Sequence, residues 1–140
     1  MVTFAIYDST KDDVVNVEEI KIPAAFDIPE SLKYLRNTIL DILREYEIVA
    51  AGVRATEPSA KKMSLARIQI EGVIQETFAS SSLKAFFVGH IATISSKIGI
   101  PRSDFKRMID GEIAPAVAGW AAMTPAKREA ILCAKGAANA

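Results

Sequence analysis

The chain has 140 residues, half of them hydrophobic and 24% charged, which suits one folded α/β domain over residues 1–140 and leaves no room for a long disordered tail. Seventeen Lys plus Arg balance seventeen Asp plus Glu, so net charge alone makes no case for a nucleic-acid or membrane partner. No apolar run reaches the ~20 residues that span a bilayer, and the lone Cys133 has no partner for a disulfide or a zinc site, which points to a reducing, cytoplasmic setting.

Residues 2–7 and 14–22 are rich in β-branched and aromatic side chains and flank the polar cluster Asp8-Ser-Thr-Lys-Asp-Asp13, the pattern of a β-hairpin. Within the second strand the alternation slips near Glu18 and Glu19, which predicts a bulge there. Asp27-Ile-Pro-Glu30 is a helix start: Asp27 is placed to accept free backbone N–H groups, and Pro29 suits the first turn. The helix runs over 28–46, with Ile28, Leu32, Leu35, Ile39, Ile42, Leu43 and Tyr46 recurring at steps of three and four.

Residues 48–53 form a short apolar run, expected as a central strand buried on both faces. A polar stretch, 54–59, leads to a second helix over 60–79, with Met63, Ala66, Ile70, Val73, Ile74 and Phe78 on one stripe and Gly72 expected to mark close packing. A further strand over 83–88 is followed by helical material to Ile98, a turn at 99–101, and a short helix around Phe105. Residues 111–122 read as a loop, and Thr124-Pro125 opens a last helix, so 111–140 is expected as a helical extension. The order predicts an α/β fold: a mixed sheet with an antiparallel N-terminal hairpin and crossover helices.

Antiparallel strands, a capped helix, an apolar strand ending in Arg54-Ala-Thr-Glu57, and a helix carrying Ala66-Arg67-Ile-Gln-Ile-Glu-Gly72 together resemble the Holliday-junction resolvase branch of the ribonuclease H-like fold. They are also similar to an uncharacterised bacterial family on that fold. The resemblance spans about residues 1–110. It implies divalent metal, magnesium or manganese, held by carboxylates for phosphodiester hydrolysis. On that pattern Glu57 is the candidate catalytic residue and metal ligand, with Asp8 and Asp110 as further metal candidates. The family begins with three antiparallel strands, whereas two fit before Asp27. Either 2–7 is the first strand and Asp8 the family's acidic residue, or 2–7 is the second strand and Asp8 a turn residue. In the second case an earlier start or a partner chain supplies the missing strand.

Charge is unevenly spread: residues 1–58 hold 6 basic and 11 acidic side chains, hence −5, and residues 59–140 hold 11 and 6, hence +5. The second half therefore permits a positive face, with Lys61, Lys62, Arg67, Lys106 and Arg107 as candidate nucleic-acid contacts. Asp8, Asp12 and Asp13 read first as an acidic turn. His90 follows a strand end, where it is either a helix-start residue or a general base. Phe86, Phe87 and Trp120 suggest apolar surface for a partner chain, hence a homodimer. Two functions follow: a ribonuclease H-like protein that contacts nucleic acid with weak or absent metal-dependent nuclease activity, or a non-catalytic homo-oligomeric structural protein.

Overall fold

Strands β1 (Val2–Asp8) and β2 (Asp13–Ile20) form the expected antiparallel hairpin, and the computed structural model describes all residues, 1–140. The ladder is regular from Val2↔Ile20 to Ile6↔Asn16, then jumps to Tyr7↔Val14, so Val15 is the extra residue of a bulge. Glu18 and Glu19 pair normally with Phe4 and Thr3. The expected bulge is thus corrected from Glu18–Glu19 to Val15. The slip in polarity arises because both glutamates are exposed on a strand paired along one edge only, and such a strand tolerates charge on either face.

Helix α1 (Ile28–Glu45) starts as the sequence predicts, with Asp27 Oδ1 accepting the Glu30 N–H at 2.9 Å and Pro29 in the first turn. Strand β3 (Ala50–Arg54) follows. Helix α2 (Leu65–Ser80) begins five residues later than expected, because Ser64 caps it by accepting the Arg67 N–H and residues 60–64 remain a loop. Strand β4 (Ala85–Gly89) pairs parallel with β3 in register Gly52↔Phe87. Helices α3 (Ile91–Ile98), α4 (Arg102–Ile109) and α5 (Pro125–Ala137) complete the chain, with a 3-10 turn at Trp120–Ala122.

The architecture is α/β, with antiparallel and parallel strand pairs joined by crossover helices, in two two-stranded ladders. No ladder joins β1 to β3, so β3 is not a central strand and its residues are half-buried. Both ladders sit between two layers of helix. On one side Leu35 and Ile39 of α1 meet Ile74 and Phe78 of α2, over Phe4 and Val53. On the other, Ile131, Leu132 and Cys133 of α5 join Phe87, Ile94 and Phe105, with Ala5 and Val17 beneath.

Two further expectations change. Phe87 and Trp120 are buried in this second core, at 8% and 3% exposure, which leaves only Phe86 of the three as apolar surface. The Phe87 ring lies over Gly52, where a Cβ would meet it at 2.1 Å, so the register requires glycine at that position. Around Gly72, by contrast, an added Cβ meets nothing within 4 Å, and the expected close packing is absent.

Candidate functional site

Parallel pairing brings the carboxyl ends of β3 and β4 to one side of the molecule, where α/β folds commonly place their sites. Arg54 ends β3, and the following loop carries Thr56 and Glu57 toward the first turn of α2. A cleft of about 170 Å³ opens there, lined by Arg54, Thr56, Glu57, Ala60, Lys62, Ser64 and Arg67. Three cations and one carboxylate therefore face the same space.

The loop is fixed by carboxylates acting as hydrogen-bond acceptors. Glu71, buried on α2, accepts from both the backbone N–H and the hydroxyl of Thr56, the latter at 2.7 Å. Glu57 Oε1 accepts the Ile91 N–H at 2.9 Å, at the start of α3, where the N-cap residue His90 makes no side-chain cap of its own. A carboxylate at a helix N-terminus satisfies a free N–H and complements the helix dipole. His90 Nδ1 lies 3.3 Å from the Ala55 carbonyl oxygen and 3.9 Å from Glu57 Oε2. His90 thus stands at the helix start and is tied to the same loop. Arg54 is held from behind by Glu129 of α5, at 2.7 Å.

The other acidic candidates lie elsewhere. Asp8 closes the hairpin turn, with Oδ1 accepting the backbone N–H of Thr10 at 2.9 Å and its hydroxyl at 2.6 Å. The hydroxyl bond, with the backbone one behind it, holds this carboxyl below the usual range. Asp12 accepts from the Tyr7 hydroxyl at 2.5 Å, which pushes that phenol up to about 12. Asp110 is the exposed C-cap of α4. Nowhere in the chain do three His, Cys, Asp or Glu side chains converge as a metal site requires. Glu57, Asp8 and Asp110 are therefore not brought together, and the donor set does not fit the magnesium or manganese that the resemblance implies.

Of the basic candidates, Lys62 and Arg67 line the cleft, whereas Lys61 is exposed outside it. Arg107 is engaged within its own helix region by Asp104 at 3.8 Å and Glu112 at 3.3 Å, and Lys106 is exposed on α4. Sequence reasoning missed Arg54, Glu71 and Ser64. Ser64 alone left a local signal, a serine three residues before Arg67 at a helix start.

Comparison with protein-family models gives no match, and comparison with curated proteins gives none either. Among solved structures the chain is similar to Thermus thermophilus RuvC, with a TM-score of 0.51 and 11% identity, over 86% of this chain and 77% of that one. At that identity the likeness speaks for the fold alone, and with the α/β architecture described above it makes the fold ribonuclease H-like.

Proposed function

We propose that this chain is a nucleic-acid-binding protein of ribonuclease H-like fold that does not hydrolyse its ligand by a metal-dependent route. The observation that carries the reading is the cleft at the strand ends, where Arg54, Lys62 and Arg67 converge beside a Glu57 already occupied in capping α3. Phosphate contacts need only Lys and Arg, whereas two-metal hydrolysis needs several carboxylates at fixed spacing. The fold and the sequence resemblance to the resolvase branch support the same ligand class. The lone, buried Cys133 suits a reducing cytoplasm.

The test incubates the purified protein with branched, duplex and RNA–DNA hybrid substrates in magnesium or manganese, beside a Glu57→Gln variant. Binding that weakens steeply with salt, and no cleavage by either protein, is the expected outcome. Cleavage by the parent that disappears in Glu57→Gln would return Glu57 to a catalytic role.

A second reading, a homo-oligomer without catalytic activity, draws on Met63, Leu65 and Ile68, which are 56%, 71% and 42% exposed around the start of α2. Light scattering at micromolar concentration decides it, a monomer removing the reading.

A further inference from the structure

We propose that the cleft between the end of β3 and the first turn of α2 is a phosphate-binding subsite, with Lys62 and Arg67 as its principal ligands. The inference deepens the nucleic-acid reading by naming where one phosphate of a strand docks, yet it stands or falls on a free phosphate group as well. Six of the seven lining residues are polar or charged, and Ala60 alone is hydrophobic. The volume, about 170 Å³, is small beside the ~300–1,000 Å³ of pockets that enclose a whole small molecule. Such a space selects a compact, charged group.

The charges at the cleft are not equally committed. Glu57 turns one oxygen to the Ile91 N–H, and Arg54 spends one guanidinium nitrogen on Glu129. Lys62 and Arg67 make no ion pair with any carboxylate of the chain and are exposed. Two uncompensated cations from different elements, a loop and a helix, face one space. That arrangement attracts an anion and repels a cation.

The neutral donors favour an oxyanion as well. Ser64 contributes a hydroxyl whose oxygen is held by the Arg67 N–H at 3.2 Å and whose own proton is uncommitted, whereas the Thr56 hydroxyl already donates to Glu71 at 2.7 Å. In the sixteen-residue helix α2, the N–H groups of Leu65 and Ala66 precede the helical ladder. A tetrahedral phosphate presents several acceptor oxygens to donors arriving from different directions, which a flat carboxylate does not.

The probes are inorganic phosphate and a short single-stranded oligonucleotide, titrated into the full chain, into a Lys62→Ala/Arg67→Ala double variant, and into Lys33→Ala, an exposed lysine on α1. Chemical-shift mapping and calorimetry read the binding, and the thermal midpoint confirms that each variant folds. Phosphate is expected to shift the Lys62–Arg67 amides of the parent, with affinity falling about tenfold or more in the double variant and unchanged in Lys33→Ala. Phosphate binding that is absent, or equal in all three proteins, overturns the subsite. Oligonucleotide binding that survives the double substitution, without phosphate binding, leaves the nucleic-acid reading standing and this inference fallen. Phosphate held by the cleft with no affinity for the oligonucleotide does the reverse.

Discussion

Asp27 spends one carboxylate oxygen on the Glu30 N–H, and no other side chain makes that contact. Asp27→Ala is expected to lower stability by ~1 kcal/mol, read from the midpoint of urea unfolding, and an unchanged midpoint would remove the cap assignment. This contact was legible because donor and acceptor lie three residues apart. Glu57 was legible as a residue of interest for its place after an apolar run, but not in its role. Its partner, Ile91, is 34 positions on, and only the parallel pairing of β3 with β4 brings the two together. Cys133 shows a pH consequence of burial: desolvation, reinforced by Glu129, pushes the thiol from an ordinary 9.0 up to about 12. The folded state keeps its proton where the unfolded state gives it up, so the stabilising contribution is whole below pH 9.0 and is lost as pH rises toward about 12. Cys133→Ala should flatten that alkaline loss in a series of unfolding midpoints. An identical slope with and without the thiol would place its origin elsewhere.

At the scale of elements, α1 and α2 differ in how much of themselves the sequence disclosed. The first keeps most of its apolar residues on one stripe, so that Leu35 and Ile39 are buried while Lys33 and Glu45 face water, although Ile28 in its first turn is 57% exposed. The second is apolar on both sides: Ile74 and Phe78 are buried, whereas Leu65 and Ile68 remain exposed. Periodicity identified the inward face through Ile70, Ile74 and Phe78 but started the helix too early, since Met63 of the same stripe is 56% exposed and precedes the Ser64 cap. Its interior glycine is a conformational cost without a packing return, since nothing lies within 4 Å of a Cβ built on Gly72. Gly72→Ala should raise stability by roughly 0.5–1 kcal/mol. A thermal midpoint that falls instead would show a neighbour crowding that face. Across the helix pair, Arg36 Nε meets Glu76 at 2.9 Å, and the Ser80 hydroxyl, with Arg36 behind it, keeps the Glu76 carboxyl below its usual range. Both side chains are well exposed, and such a pair orients the helices more than it stabilises them.

For the molecule as a whole, the sequence order of strands and helices was readable because each element carries its own periodicity and its own stops. The β1–β2 hairpin was readable from its polar turn, but how that hairpin relates to β3 and β4 was not. A backbone edge leaves no mark in residue pattern, and only the structure shows β1 and β3 in separate ladders with α5 packed against both. The last helix lies beyond the span of the sequence resemblance, yet its Ile131 and Leu132 are almost wholly buried in the larger core.

What locks α5 to the preceding segment is Arg128, which sequence pattern gave no reason to place inside. It is 8% exposed and makes no ion pair; its Nε donates to Trp120 O at 3.0 Å, and its two terminal nitrogens donate to Ile109 O at 2.9 Å and Ala121 O at 3.0 Å. Those carbonyls belong to the end of α4 and to the 3-10 turn, so one side chain joins three parts of the chain. The Ile109 carbonyl also lies in the last turn of α4, where a cation is favoured by the helix dipole. Arg128→Ala removes every donor at once and leaves three carbonyls near a vacated space, with an expected loss of about 3 kcal/mol. That is a large share of the ~5–15 kcal/mol that holds a typical domain together. Arg128→Lys should recover little of it, because a compact ammonium cannot serve three acceptors held by a planar fork. Urea unfolding of both variants checks the claim. A lysine variant as stable as the parent would show that charge, rather than the fork of donors, secures the helix.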